Sequence, residues 1–322
     1  MYNHDKRDAV ETMTQFASWG LPNTLIMAKD PHITIAEAFD NHIESDVIAA
    51  GMAPKTIRHC EYIKKLATDF FGTDKEMTEL TIDDVLHYHN HLASWLRPDT
   101  VRKALTELKC VVRWCGMRGY RVLHPDFIKL PKHEKRQITF LTREQVFDFI
   151  DIVKTPRLGL SEQGRLRNVA ICEVLFSSGI RVSELVALNR KSIRNRQFAI
   201  VGKSKFTRPC YISPRAELAL NEYLATRKDN NPALFLSTEE DRRLSPSAVR
   251  NIFKRACMMS DEFNGVHPHT FRHSFATYLL NCGVDICVIG SFLGHQNLDT
   301  TKIYTHVTNP QMKMIHDRVM CN

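Results

Sequence analysis

The sequence lacks the long apolar runs that membrane proteins need. No stretch approaches the roughly 18 apolar residues of a spanning helix, and the charged N-terminus MYNHDKRDAVETMTQF has no signal-peptide core. Cysteine occurs nine times, an odd number, and never as C-x-x-C, which favours neither a zinc module nor a disulfide framework. These absences predict a protein of the reducing cytoplasm.

Proline and glycine are also sparse, at 13 each, so the composition does not indicate disorder or low complexity. A chain of 322 residues with 43% hydrophobic and 25% charged residues is long enough for two domains, each with its own core. The 44 Lys and Arg against 36 Asp and Glu give a formal charge of +8. This excess favours a polyanionic partner such as nucleic acid, although charge alone does not establish one.

The first third of the chain reads as helical. Residues 1–32 form an extension, and residues 33–124 contain four helical patterns, in which apolar residues recur at helical spacing. Residues 125–136, with clustered charge and two prolines, resemble an interdomain linker. Basic side chains that lie outside the apolar faces of these helices are candidate phosphate contacts, although a charged helix face usually contacts only solvent. They are Lys55, Arg58, Arg97, Arg102 and Lys103.

Residues 137–322 are predicted to form a second domain with a C-terminal tail. Most of it is helical in pattern, but RQFAIVGKSKFTRPCYIS contains two β-leaning runs joined by a Gly/Lys/Ser turn. The predicted fold class is therefore mainly α with a small antiparallel β-sheet.

The most specific signal is an ordered set of six polar side chains in GIRVSEL, VGKSK, HPHTFRH, LGHQ and TKIYTHV. These are Arg181, Lys203, His269, Arg272, His295 and Tyr304. The spacing H-x2-R-x22-H-x8-Y, preceded by the Arg and the Lys, resembles that of the tyrosine recombinase or phage integrase family, most closely its Xer-like members. The resemblance implies a helical core-binding (SAM-like) domain at 33–124 and a catalytic domain from 137, closing as a clamp on DNA.

The chemistry of DNA strand transfer explains these residue types. Two guanidiniums, Arg181 and Arg272, can grip the charge that develops on the phosphate oxygens. A phenol such as Tyr304 forms a stable yet reversible phosphate ester. By resemblance, Lys203 is the general acid and His269 the general base or a phosphate ligand.

The resemblance also assigns two supporting roles. His295 would hydrogen-bond the phosphate, and Glu184 would orient a neighbouring side chain. The cationic side chains take the place of a metal, so no cofactor is expected.

Several simpler interpretations compete with these roles. Arg181 could cap a helix or pair with Glu184. Lys205 could replace Lys203 as the general acid, since both lie in the same turn, and any of Lys203, Lys205 and Arg208 could be a solvated turn charge.

Other competing interpretations concern the histidines and tyrosines. His269 and His273 have i, i+4 spacing but no H-E-x-x-H motif, which disfavours zinc. Tyr278 is a rival tyrosine, but its helical position sends it toward the core. Only its context, nine residues after His295, favours Tyr304 as a nucleophile over an ordinary packed aromatic residue.

The resulting prediction is a site-specific DNA recombinase that acts through a 3′-phosphotyrosyl intermediate and a four-way junction. Two protomers would bind an inverted-repeat core site, and two such pairs would form a tetramer, alone or with a paralogous recombinase. Integration or excision of a mobile element and dimer resolution would use the same chemistry. A type IB topoisomerase-like enzyme and a catalytically idle DNA-binding protein are the alternatives. The tail, with Met312, Ile315 and Val319 on one helical face, would dock on a neighbouring protomer or on its own domain.

Overall fold

A computed structural model gives the architecture of the chain. It describes residues 32–132, 139–156, 159–201, 207–237 and 241–294. The chain divides into two compact units, residues 1–135 and 136–322. Among the described residues, no helix combines the length and apolar character needed to cross a bilayer.

The first unit contains four α-helices, and local sequence signals set where they begin. They are α1 (Ile35–His42), α2 (Pro54–Phe71), α3 (Ile82–Ala93) and α4 (Pro98–Met117), with a π-helical turn at Ile43–Ile48 and 3-10 turns at Met77–Glu79 and Pro125–Phe127. Thr34 and Thr81 cap α1 and α3 through reciprocal bonds with Glu37 and Asp84. The predicted four helices are therefore present.

The core of the first unit extends beyond its last helix. Ile128, which is 1% exposed, packs in the same cluster as the buried faces of the four helices. The start of the predicted linker is therefore packed against this unit, while residues 133–138 and the extension 1–31 lie outside the described residues.

The second unit is built around one long buried helix and carries a two-stranded sheet. Its helices are α5 (Arg143–Lys154), α6 (Glu162–Ser178), α7 (Val182–Ala187), α8 (Pro214–Ala225), α9 (Pro246–Cys257), α10 (Pro268–Asn281) and α11 (Ile286–Leu293). A 3-10 turn spans Asp261–Phe263. Helix α6 is buried on nearly all sides because α5, α8 and α10 pack around it. Strand β1 (Gln197–Val201) pairs antiparallel with β2 (Thr207–Tyr211).

The sheet register decides which side chains face the core. Phe198 lies opposite Cys210, and Ile200 lies opposite Arg208, and all four are buried while their neighbours along the strands are exposed. The period-2 alternation of a strand thus places a charged arginine on the inner face. The predicted fold class, mainly α with a small antiparallel sheet, is confirmed.

Candidate active site

Arg181 lies on the tight turn between α6 and α7. Gly179 ends α6 in the left-handed conformation, at φ 63°, and Arg181 is the residue that precedes the first turn of α7. The Arg181 backbone N–H donates to Glu184 Oε2 at 2.8 Å, and its Nη1 donates to Oε1 at 3.1 Å. The pairing with Glu184 that the sequence left open is therefore present. The Arg181 side chain is still 38% exposed, so it keeps a face toward solvent.

Arg208 holds the same carboxylate from the other side. Its Nη2 donates to Glu184 Oε2 at 2.7 Å, its Nη1 donates to Oε1 at 3.2 Å, and its Nε donates to the Phe292 carbonyl at 3.1 Å. The Arg208 side chain is 4% exposed. The interpretation of Arg208 as a solvated turn charge is therefore wrong, because it is buried in a bidentate ion pair on the inner face of β2.

Glu184 remains ionised between these two arginines. Burial favours its neutral form, but the hydrogen bonds from Arg208 and from the Arg181 backbone outweigh burial, and the pKa of Glu184 is lowered. Charge-assisted, bidentate hydrogen bonds of this kind fix orientation as well as charge. Glu184 therefore holds the guanidinium of Arg181 in place.

Arg272, on α10, is buried and joins two helix ends. Its Nη1 donates to the Gly179 carbonyl at 2.7 Å, and its Nη2 donates to the Leu293 carbonyl at 2.6 Å. These carbonyls lie at the C-terminal ends of α6 and α11, where backbone carbonyls lack helical partners. Arg272 thus binds Gly179, which lies two residues before Arg181 in the chain, and also the end of α11.

These contacts connect the end of α11 to the arginine pair. Phe292 and Leu293 accept hydrogen bonds from Arg208 and Arg272 respectively, and Gly294 then ends the helix at φ 63°. A Cβ on Gly294 would lie 2.9 Å from Arg208 Nη1, so glycine permits the close approach. The next residue in the sequence is His295, which lies outside the described residues.

His269 lies on the first turn of α10, beside this arginine network. Desolvation and the nearby charges of His267, Arg272, Arg181 and Arg250 lower its pKa. A histidine with a lowered pKa is neutral at pH 7 and can accept a proton. His269 is therefore electrostatically coupled to both predicted phosphate-binding arginines.

The neighbouring His273 is more strongly affected. Burial, together with the charges of His269 and Arg272, lowers the pKa of His273 to about 4. Within the ranges that the structure describes, no group of three or more His, Cys, Asp or Glu side chains is arranged to hold a metal ion.

The described part of the chain thus brings together three of the predicted residues, Arg181, Glu184 and Arg272, with His269 close by. Lys203 and its rival Lys205 lie outside the described residues, in the segment between β1 and β2, and so do His295, Tyr304 and the predicted tail. Tyr278 is partly buried against Phe176, at 6.2 Å between ring centroids.

Sequence reasoning missed the buried ion pair of Arg208 with Glu184. The available signal was the alternation in TRPCY: if Cys210 faces the core, Arg208 faces it as well. The usual preference of arginine for the surface argues against that placement, and only the distant partner Glu184 explains it.

Comparisons with known proteins agree with this architecture. The model of the phage integrase family matches residues 139–310. Tyrosine recombinase XerC of Alcanivorax borkumensis is 34% identical over 227 residues, which cover 68% of this chain and 72% of that protein. The chain belongs to the phage integrase family. It is an enzyme, a site-specific tyrosine recombinase, and not the topoisomerase-like enzyme or idle binding protein that the sequence left as alternatives.

Solved structures share the fold. The integrase of transposon Tn1549, in complex with transposon right-end DNA, has a TM-score of 0.71 at 17% identity and covers 89% of this chain and 100% of its own. The XerH site-specific recombinase, bound to its palindromic difH substrate, has a TM-score of 0.69 at 17% identity, with 95% and 94% covered.

Proposed function

We propose that this recombinase cleaves and rejoins DNA at a phosphate held by Arg181 and Arg272, with Tyr304 as the nucleophile. The observation that carries the proposal is the network in which Arg272 binds the turn bearing Arg181 and the end of the helix that leads to His295. Two fixed guanidiniums beside a neutral histidine suit a phosphodiester whose charge grows during attack.

The energy of the broken phosphodiester bond is retained in a covalent bond between the enzyme and DNA. The Tyr304 oxygen forms a bond to phosphorus while the bond from phosphorus to the 5′ oxygen breaks, which leaves a 3′-phosphotyrosyl strand. His269 accepts the phenol proton, and Lys203, or its neighbour Lys205, protonates the departing 5′ oxygen. A 5′ hydroxyl of the partner duplex then attacks the phosphotyrosine. His295 donates a hydrogen bond to the phosphate.

DNA is the proposed partner. The family, the formal charge of +8 and the two solved structures with bound DNA support it. The five predicted phosphate contacts are Lys55, Arg58, Arg97, Arg102 and Lys103. Four are exposed, whereas Arg102 is half-buried and donates to the Pro131 carbonyl, which makes it the weakest of the five.

The proposed organisation follows the family. The core-binding domain would begin at residue 33 and extend through the packed Ile128, with the linker after it, and residues 137–322 would be the catalytic domain with its tail, closing around the duplex. XerH is bound to a palindromic substrate, which supports an inverted-repeat site with one protomer on each half. Two such pairs would form a tetramer around a four-way junction, as one protein or with a paralogous recombinase.

The proposed biological role is integration or excision of a mobile element, or dimer resolution, on DNA in the cytoplasm. The relatives include both a transposon integrase and a XerC recombinase, so they support the shared chemistry of these roles.

The test is to trap the covalent intermediate. The full chain is incubated in EDTA with fragmented genomic DNA of its source organism, the reaction is stopped with detergent, and the DNA ends left on protein are sequenced to define the site. A suicide duplex carrying a nick beside that site then accumulates the adduct.

Two tyrosine variants decide the assignment. Tyr304→Phe should abolish the adduct because it removes the attacking oxygen, while the matched control Tyr278→Phe should retain it. An adduct that survives Tyr304→Phe, or one that requires a divalent metal, would refute the proposed chemistry.

A further inference from the structure

Arg208 is a buried charge whose side-chain contacts go to the elements that carry the proposed catalytic residues. It forks onto Glu184, which holds Arg181, and its Nε donates to the end of α11 at Phe292. A charge taken out of water is tolerated only with partners of good geometry, and here a carboxylate and a carbonyl supply them.

We infer that Arg208 is a positioning residue for recombination, which sets the spacing between the Arg181 turn and the end of α11 that leads to His295. The inference rests on the proposed function, because it takes Arg181 and His295 as phosphate ligands. Arg208 itself does not touch the phosphate in this scheme; it acts through Glu184 and through the backbone of α11.

The geometry requires the forked shape of arginine. Two nitrogens meet the two oxygens of Glu184 at 2.7 and 3.2 Å, while a third reaches Phe292 on a different helix. A lysine has one nitrogen and cannot serve a carboxylate side-on and a separate carbonyl in this way. Gly294 leaves the space for this approach, since a Cβ there would meet the guanidinium.

The strand gives Arg208 a further connection to the active site. It is the second residue of β2, the strand that begins directly after the segment containing Lys203, and it pairs with Ile200 near the end of β1. One guanidinium therefore links β2 to Glu184 and to the end of α11.

A second buried arginine in the same unit provides a matched control. The Arg227 side chain is 1% exposed, binds both oxygens of Asp229 at 2.6 Å, and donates to the carbonyls of Ala233 and Leu234 at 2.9 Å. Like Arg208, it makes a bidentate ion pair with a carboxylate and donates to a backbone carbonyl, but its partners are not among the proposed catalytic residues. Loss of either bidentate ion pair should reduce stability, and only the change at Arg208 should reduce the cleavage rate.

The experiment compares Arg208→Lys with Arg227→Lys in the full chain. Thermal unfolding gives the loss of stability. Fluorescence anisotropy with the same suicide duplex, measured in the Tyr304→Phe background so that no adduct forms, gives the DNA affinity. The single-turnover rate is the rate of adduct formation at saturating DNA, measured at a temperature below the onset of unfolding. Arg208→Lys should lower the rate about 10²-fold, the scale of an ångström-level misplacement, with the affinity nearly unchanged. Arg227→Lys should cleave near the wild-type rate.

A double-mutant cycle tests the route through Glu184. The rate losses of Glu184→Gln and Arg208→Lys should be less than additive, because each breaks the same link to Arg181. Fully additive losses would overturn that route. Equal cleavage by Arg208→Lys and Arg227→Lys, or a loss confined to DNA affinity, would overturn the positioning role. A wild-type chain that forms no Tyr304-dependent adduct would instead refute the proposed function, before either arginine variant is compared.

Discussion

Replacing Gly179 with alanine should destabilise the second unit through a specific collision. A Cβ on Gly179 would lie 2.3 Å from Cδ1 of Phe275 and 2.8 Å from its Cε1. Phe275 is only 9% exposed and packs edge-to-face with Phe292, at 6.4 Å between ring centroids. The ring therefore has little space into which it can withdraw.

The magnitude has two parts. Holding a residue with a Cβ in the left-handed region costs roughly 1–2 kcal/mol. Overpacking a close-packed core typically adds about 1–3 kcal/mol. Gly179→Ala should therefore reduce the free energy of unfolding by roughly 2–5 kcal/mol. Gly265 has φ 80°, and a Cβ there would have nothing within 4 Å, so Gly265→Ala should lose only the backbone part.

Urea unfolding of the full chain measures both variants, and the difference in their free energies isolates the collision. Both glycines belong to the second unit, so the same transition reports on both. Adding Phe275→Leu to Gly179→Ala should recover part of the loss, whereas Phe275→Leu alone should destabilise. Equal losses for Gly179→Ala and Gly265→Ala would refute the reasoning.

Three further predictions concern buried or capping groups. The pKa of His273 is lowered from 6.5 to about 4, so the folded state favours the neutral imidazole. The free energy of unfolding should therefore be highest above pH 6.5 and should fall as the pH drops toward 4, by at most about 3 kcal/mol. His273→Gln should reduce this acid-induced loss of unfolding free energy, and a loss equal to that of the wild type would contradict the prediction. Glu173 is 3% exposed and pairs with the half-exposed Arg215, so Arg215→Met should cost about 2 kcal/mol at pH 7, less than a fully buried pair. Burial already raises the pKa of Glu173, so the deficit should narrow in acid as the carboxyl protonates, and a deficit independent of pH would argue against the pairing. Thr81→Ala removes the cap that bonds Asp84 and should destabilise the first unit by about 1 kcal/mol in the same unfolding assay, where a neutral result would count against the cap.

The helices of this protein could be predicted because their signals are local. Thr34 with Glu37, and Thr81 with Asp84, are three-residue spacings that can be read directly, and each forms a reciprocal cap. The strand pair was likewise predictable, since only five residues separate its two β-leaning runs in the sequence. Propensity and periodicity suffice where an element is specified by its own residues.

The hydrogen-bond network of the candidate site could not be predicted in the same way. Glu184 lies 24 residues from Arg208, and Arg272 lies 93 residues from its acceptor Gly179. No periodicity relates such partners, because they meet only after α7, the sheet and α10 have packed. The residue types of the site were evident from their spacing, whereas the residue that links them, Arg208, resembled a surface charge until its partner was known.

The charge balance of the network suggests why two arginines share one carboxylate. If Glu184 faced Arg181 alone, it would hold that guanidinium in place but would also cancel its charge. Arg208 supplies a second positive charge to the same carboxylate, at 2.7 Å, and so leaves Arg181 oriented yet still available to an anion. A phosphodiester attacked by a phenolate carries two negative charges at the pentacoordinate stage and only one before it. In the proposed reaction, the fixed guanidiniums would therefore stabilise the pentacoordinate stage more than the resting phosphodiester, which is the condition for catalysis rather than mere binding.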